Sequence, residues 1–370
     1  MRVPFLDLGR QYQEIEAELM EAVARVMKSG TYILGREVET FENEWARFCG
    51  VSGAAGTASG TDALSLALVA SGAVRPDAQD EVITSTFTAA YTALAILNAG
   101  AVPIFADINP ETYTIAPESI EKAITPRTRA LVPVHLYGQM ADMKSIGEIA
   151  ARYGLRVLED AAQAHGACWP EKRAGTYSSA AAFSFYPTKN LGAAGDGGVV
   201  VSNDLGLIER VKSLRQGGNV GALQGSLAGR NSRLDEIQAA LLRVKLKSLK
   251  KWNGQRQMLA RIYDERLAAC APSFIIPPAP NKPEAHVYHL YVIQHQERAR
   301  LRAHLTQHGI ETMIHYPYLL HQQPLFRRSE QRALPVAEHV AEKILSLPLY
   351  PQLSAEEVGA VCDALIEFEV

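Results

Sequence analysis

Lys189 stands between an apolar run, Ala181-Ala-Phe-Ser-Phe-Tyr, and a glycine-rich stretch, Asn190-Leu-Gly-Ala-Ala-Gly-Asp-Gly-Gly. A lysine in a turn between a buried strand and a glycine loop loses water. Desolvation lowers its pKa, and the neutral amine can form a Schiff base with an aldehyde. Taken alone, the residue suits a surface turn as well. Asp160 ends a second apolar run, in Leu155-Arg-Val-Leu-Glu-Asp-Ala-Ala-Gln-Ala-His-Gly. A carboxylate at the carboxyl end of a central strand faces the ligand crevice of an α/β sheet, and if buried it requires a cation. A protonated pyridine nitrogen is one such cation; capping the next helix is the plainer use of the same residue. Gln163 is placed to hydrogen-bond a phenolic oxygen on the same ring. His165 reads either as a core histidine or as a residue facing substrate.

Gly56-Thr-Ala-Ser-Gly-Thr-Asp runs from small residues straight into the apolar stretch Ala63-Leu-Ser-Leu-Ala-Leu. Free N–H groups at a helix start, flanked by hydroxyls, bind phosphate. No lysine follows Gly60, so this is not a P-loop of the Walker type. A plain N-cap by Ser59 or Thr61 is the simpler reading. Phe87, in Thr84-Ser-Thr-Phe-Thr, is an aromatic just past a strand end, where it can stack on a planar ring or join the core. A phosphate cradle, a stacking ring, a carboxylate and a Schiff-base lysine follow one another along the chain. Those are the parts that hold pyridoxal 5'-phosphate (PLP).

The elements that must position these side chains are also visible. Residues 81–85, 102–106, 130–135, 156–159 and 181–185 read as strands. Asp62–Ala70, Glu118–Ile124 and Met143–Arg152 read as helices between them. Such alternation predicts an α/β fold whose mostly parallel sheet is flanked by helices. A helix through Ile237–Leu249 and beyond Gln255 leads to a different pattern. There follow a loop at Pro277–Pro280, a strand (Val287–Ile293), a helix (Arg298–His308), a loop with His315-Tyr-Pro and a last helix near Glu356–Phe368. The expected division is a PLP-binding large domain, 1–248, and a smaller C-terminal α+β domain, 249–370.

Composition bounds the partners. Of the 370 residues, 37 are basic and 40 acidic, a net charge of −3 that offers no field for nucleic acid or an anionic membrane. The longest apolar stretch, Ala89–Ala106, is interrupted by Asn98, Gly100 and Pro103 and reads as helix, turn and strand, not as a membrane span. The four cysteines, Cys49, Cys168, Cys270 and Cys362, form no CxxC pair and predict reduced thiols in a cytoplasmic protein. No metal is expected. A hydrolase built on Glu159, Asp160 and His165 would lack the helical spacing of a zinc motif.

Nearly the whole chain resembles the DegT/DnrJ/EryC1/StrS family of PLP-dependent sugar aminotransferases, of the aspartate aminotransferase fold type. The matching motifs are Gly35-Arg-Glu-Val-Glu-Thr-Phe-Glu, Ser59-Gly-Thr-Asp-Ala-Leu, Pro133-Val-His-Leu-Tyr-Gly-Gln, Glu159-Asp-Ala-Ala-Gln-Ala-His-Gly-Ala and Ser184-Phe-Tyr-Pro-Thr-Lys-Asn-Leu-Gly. They continue through Asn231-Ser-Arg-Leu-Asp-Glu-Ile-Gln-Ala-Ala and His315-Tyr-Pro to Ser346-Leu-Pro-Leu-Tyr-Pro.

The resemblance implies that Lys189 is the Schiff-base lysine and Asp160 the carboxylate at the pyridine nitrogen. It implies that Gln163 touches the ring oxygen, that Gly60, Thr61, Asp62 and Ser184 hold the phosphate, and that Phe87 covers the ring. Asn231 would reach the cofactor phosphate of the neighbouring subunit, which implies a homodimer with shared active sites. His165, Tyr186, Arg233, His315 and Tyr316 would lie near substrate, the last three close to nucleotide phosphates across the interface. Some relatives carry His at the lysine position and act as dehydratases; Lys189 favours transamination. The expected reaction moves an amino group from glutamate to a keto group of a dTDP- or UDP-linked hexose. The glycine loop after Lys189 resembles members acting on 3-keto sugars. A 4-keto sugar, a keto-cyclitol such as an inosose, and a regulatory protein that kept the fold without catalysis are the alternatives.

Overall fold

Short apolar runs bounded by glycine, proline and polar turns form strands here, and the amphipathic stretches between them form helices. The computed structural model describes residues 1–75, 78–169, 171–218, 229–270, 273–274, 285–327 and 332–369. Seven strands make the main sheet: β1 (Gly53–Thr57), β2 (Glu81–Ser85), β3 (Val102–Ala106), β4 (Thr128–Val132), β5 (Arg156–Asp160), β6 (Ala180–Ser184) and β7 (Gly198–Ser202). Their order is β1-β7-β6-β5-β4-β2-β3. The pairings from β3 to β6 are parallel, and β7 runs antiparallel to both of its neighbours, β1 and β6.

Successive residues of these strands serve two different cores, as the pleat requires. Val82, Ala130, Val132, Leu158, Ala182 and Val200 pack on one face. There they meet helices α4 (Gly60–Ala70), α5 (Ala90–Asn98) and α8 (Leu205–Leu214). Ile83, Leu131, Val157, Ala181, Phe183 and Val199 pack on the other. That face is covered by α3 (Arg36–Cys49), α6 (Pro117–Ala123), α7 (Met143–Tyr153) and α9 (Glu236–Leu246). Two N-terminal helices, α1 (Leu8–Glu14) and α2 (Glu16–Ser29), precede them, and α2 packs on α9 through Ala22, Val26 and Ala240. This is the α/β class expected from the sequence.

The C-terminal part has its own core. Helices α10 (Leu249–Cys270), α11 (Arg298–Gln307) and α13 (Ala355–Glu369) enclose a two-stranded antiparallel sheet of β8 (Tyr291–Gln294) and β9 (Ile344–Leu347), with α12 (Pro335–Lys343) between. Val3 belongs to this core and pairs with Ile310, so the first residues of the chain pack here and not on the main sheet.

The differences from the sequence reading have local causes. The long helix after Asp235 is two, α9 and α10, separated at Lys247–Ser248 by a turn in which Ser248 N–H donates to Lys245 O at 3.0 Å. The strand expected over Val287–Ile293 begins only at Tyr291. Its first residues bond instead to the loop after β4, where Val287 N–H donates to Gly138 O at 3.0 Å. The loop expected at Pro277–Pro280 lies outside the described residues. Cys49, Cys168 and Cys362 are free thiols.

Candidate active site

The carboxyl ends of β2, β4, β5 and β6 bring the predicted side chains together. Lys189 sits in a turn just beyond β6, closed by its own N–H donating to Tyr186 O at 2.9 Å. Its neighbour Asn190 is buried and donates from Nδ2 to Asn253 Oδ1 at 3.0 Å and to Val287 O at 2.9 Å. That anchor ties the lysine turn to α10 and to the C-terminal part. Burial draws the Lys189 pKa down to about 8, with the charge of Asp160 acting in the opposite direction. The half-buried lysine thus lies close enough to Asp160 for the carboxylate charge to act on it.

Asp160, the last residue of β5, is buried, and each of its oxygens accepts one hydrogen bond. Ala162 N–H donates to Oδ1 at 3.1 Å, and the Thr92 hydroxyl donates to Oδ2 at 2.7 Å. Thr92 was not expected. It lies in the first turns of an apolar helix, 68 residues from its partner, and no local pattern marks it. Gln163 accepts from Tyr137 N–H at 2.7 Å and donates from Nε2 to the Tyr316 hydroxyl at 3.0 Å. The Tyr137 hydroxyl in turn donates to His315 O. Tyr316 and His315 thus border Gln163 and Lys189 of their own chain. Burial and then the Lys189 charge lower the His315 pKa to about 4.

The phosphate loop has the geometry of a cradle. Ser59 is the N-cap of α4, and its hydroxyl accepts from Asp62 N–H at 3.1 Å. The N–H groups of Gly60 and Thr61 meet no acceptor among the described residues. A Cβ at Gly60 would stand 2.6 Å from Ser184 Cβ, and one at Gly198 would stand 2.3 Å from Ser59 C. Only glycine lets the helix start descend onto β6 and β7, beside the Ser184 hydroxyl. Arg230 donates to Asp62 Oδ1 at 3.2 Å and neutralises the acid nearest this anion cradle. Phe87 is fully buried, edge-on to Tyr113 and Tyr137 at 6.2 and 6.4 Å between ring centres.

Other predicted residues fall differently. His165 is fully buried, with Trp45, Phe183 and Phe185 around it and Nε2 2.8 Å from Ser184 O. Burial and then the Lys189 charge lower its pKa to about 3, so it is a neutral core histidine with no face toward a substrate. Tyr186 and Asn231 are exposed and Arg233 is half-buried. His289, missed from sequence, is buried close to Lys189. Burial first, and then the lysine charge, hold it well below its ordinary pKa.

Glu159 is not available to a metal. Its oxygens accept from His135 Nε2 at 2.9 Å, Gly175 N–H at 2.7 Å, Tyr177 N–H at 3.0 Å and the Ser178 hydroxyl at 2.8 Å. His135 Nδ1 accepts from Ala141 N–H at 3.1 Å, which puts the imidazole proton on Nε2. Among the described residues the one His/Glu group spaced for a metal ion is His304, His308 and Glu367, on the surface of α11 and α13. No described helix is long and apolar enough to cross a membrane.

The donor set fits PLP: a desolvated amine, a carboxylate for a pyridine nitrogen, unpaired N–H groups for a phosphate, and a buried aromatic ring. Comparison with known proteins agrees. The chain matches the DegT/DnrJ/EryC1/StrS aminotransferase family over residues 13–366. It is 46% identical over 369 residues, 99% of this chain and 96% of the relative, to a dTDP-3-amino-3,4,6-trideoxy-alpha-D-glucose transaminase of Streptomyces venezuelae. It is 43% identical over 370 residues, 100% of this chain and 99% of the relative, to a pleiotropic regulatory protein of Geobacillus stearothermophilus. The crystal structure of S. venezuelae DesV in complex with a ketimine intermediate superposes with a TM-score of 0.94 at 46% identity, covering 99% of this chain and 98% of that one. This chain belongs to the DegT/DnrJ/EryC1/StrS aminotransferase family and is a PLP-dependent enzyme.

Proposed function

We propose that the enzyme moves an amino group from glutamate to the 3-keto group of a dTDP- or UDP-linked hexose. The observation that carries the chemistry is Lys189: an amine drawn down to about pKa 8 by burial, close enough to Asp160 for that charge to act on it. The printed name of the S. venezuelae relative, which puts the amino group at carbon 3 of a dTDP sugar, supports the substrate class.

When bound, PLP supplies an aldehyde that condenses with amines and a ring that accepts the electron pair left when a neighbouring C–H loses its proton. The chain's own residues do the rest. Lys189 Nζ would hold the aldehyde, and its free amine would be the base that moves a proton beside it. Asp160, held by Thr92 and Ala162, keeps the proton on the pyridine nitrogen. Gly60, Thr61 and Ser184 would offer donors to the phosphate, with Asp62 beside them paired to Arg230. Phe87 covers the ring, and Gln163 faces its oxygen with its orientation fixed by Tyr137 and Tyr316. Tyr186, Arg233, His315 and Tyr316 line the approach for the nucleotide sugar.

The working unit in this reading is a cytoplasmic homodimer in which Asn231 reaches the partner's cofactor phosphate. Within each subunit the large domain ends near residue 248, and the separate core around β8 and β9 supports that boundary.

A panel of dTDP- and UDP-linked 3-keto and 4-keto hexoses and an inosose, each with glutamate or glutamine, tests the assignment. The expected result is an amino sugar and 2-oxoglutarate with the 3-keto substrates and glutamate only. Turnover confined to a 4-keto sugar or to the inosose overturns the substrate class. No turnover with any pair, on protein that binds PLP, favours the regulatory role that the G. stearothermophilus relative's name carries.

A further inference from the structure

The segment after β2 is gripped from two sides. On one side the C-terminal part holds Thr86, which is fully buried. Leu320 N–H donates to Thr86 O at 3.1 Å. The Thr86 hydroxyl lies 2.6 Å from His321 Nδ1, and its oxygen accepts from His321 N–H at 3.4 Å. His321 Nε2 lies 3.0 Å from Glu338 Oε1. An ionised carboxylate only accepts, so Nε2 carries the ring proton. Nδ1 and the Thr86 hydroxyl share the other bond of the ring, at 2.6 Å.

On the other side Thr88 Oγ1 lies 3.3 Å from Thr92 Oγ1. The Thr92 proton goes to Asp160 Oδ2 at 2.7 Å, so Thr88 donates to Thr92. Phe87 stands between the two grips. One continuous path therefore runs from Glu338 on α12, through His321, Thr86 and the Phe87 segment, to Thr88, Thr92 and Asp160.

A hydroxyl, an imidazole and a carboxylate in series also make an acyl-transfer nucleophile. Thr86 is excluded from that role. It has no exposed surface, and its oxygen already accepts a main-chain N–H.

We infer that Thr86, His321 and Glu338 form a positioning relay by which the docked C-terminal part sets the Phe87 ring and the Thr92–Asp160 contact, completing the cofactor site. The inference rests on the roles proposed above for Phe87 and Asp160. It gives the C-terminal part a hold on the cofactor as well as on the substrate.

The test uses full-length protein, freed of cofactor and titrated with PLP, with Thr86→Val, Thr86→Ser and Glu338→Gln compared with wild type. Thr86→Val keeps the shape and removes the hydroxyl. One buried hydrogen bond expressed in cofactor affinity is worth about tenfold, so its PLP dissociation constant should rise by that factor. The absorbance band of the bound cofactor should shift. The kcat should fall while KM for the keto sugar stays within about twofold, because the relay does not touch the sugar. Thr86→Ser should restore all three. Glu338→Gln, at a half-exposed site that folding tolerates, should show the same pattern at several-fold size. A merely structural hydrogen bond would lower the melting temperature and leave affinity and band unchanged. Wild-type affinity and band in both Thr86→Val and Glu338→Gln overturn the relay. A wild-type chain that takes up no PLP overturns the site assignment, and the relay falls with it.

Discussion

Lys189 and Asp160 are recognisable from sequence because their meaning is local. Each ends or follows a strand, next to small residues that leave room for a ligand. Their supports are not local. Thr92 reaches Asp160 across 68 residues, and Asn190 reaches Val287 across 97, so each looks like an ordinary polar residue until the chain is folded. His165 shows the opposite case. It sits two residues past Gln163 in the same motif, yet its ring packs among Trp45, Phe183 and Phe185, because the chain has left β5 for successive turns and the alternation of a strand no longer sets where side chains point. The lysine's environment has a kinetic consequence. With its pKa lowered to about 8, the amine is mostly protonated at pH 7 and mostly neutral above pH 8. Uptake of PLP by cofactor-free enzyme should therefore rise about tenfold per pH unit below that value and level off above it. Stopped-flow absorbance from pH 6 to 10 checks this; a rate still climbing steeply at pH 10 would mean an ordinary, solvated lysine.

Elements were legible where their residues carried a period. The β2, β3 and β5 runs and helices α4, α6 and α7 stand close to where the sequence put them. Strand β1, Gly-Ala-Ala-Gly-Thr, has no such signature. It is a strand because β7 pairs with it and because its small residues let other elements approach: a Cβ at Gly56 would lie 3.0 Å from Leu234 Cβ, and one at Gly53 would lie 3.0 Å from Leu205 Cδ2. The start of α3 is similarly hidden. Its N-cap is Gly35, which has no side chain to offer, and the cap comes from α9 instead. Buried Glu236 accepts from the N–H groups of Gly35, Glu37 and Val38 at 2.8 to 2.9 Å. Glu236→Ala leaves three donors of a buried helix end unpaired and removes a carboxylate from its positive pole. A loss of about 3 kcal/mol follows. Glu236→Gln, which keeps one accepting oxygen, should lose less. Denaturant midpoints of the two variants measure the difference, and a Glu236→Ala loss below about 0.5 kcal/mol would show that water caps the helix just as well.

At the scale of the whole molecule, Asn231 is exposed and Arg233 half-buried, which suits their proposed role toward a partner. Mixing subunits tests it. Lys189→Ala and Asn231→Ala proteins are each expected to be inactive or impaired alone. If Asn231 serves the partner's site, a mixed dimer contains one site with both residues intact. Random exchange should then restore about a quarter of wild-type activity. If Asn231 serves its own subunit, no mixed site is whole and nothing is recovered. The sheet itself bears on how such a family varies. Because β7 runs backwards, the chain leaves β6 and enters β7 at one and the same edge. A parallel β7 would need a crossover of about a dozen residues or more, carried over one face. The nucleophile instead rides on a round trip that begins and ends beside the ligand. Residues of that excursion can be exchanged to suit a different sugar without re-threading the sheet or disturbing either packed layer, so the chemistry and the architecture are free to drift apart.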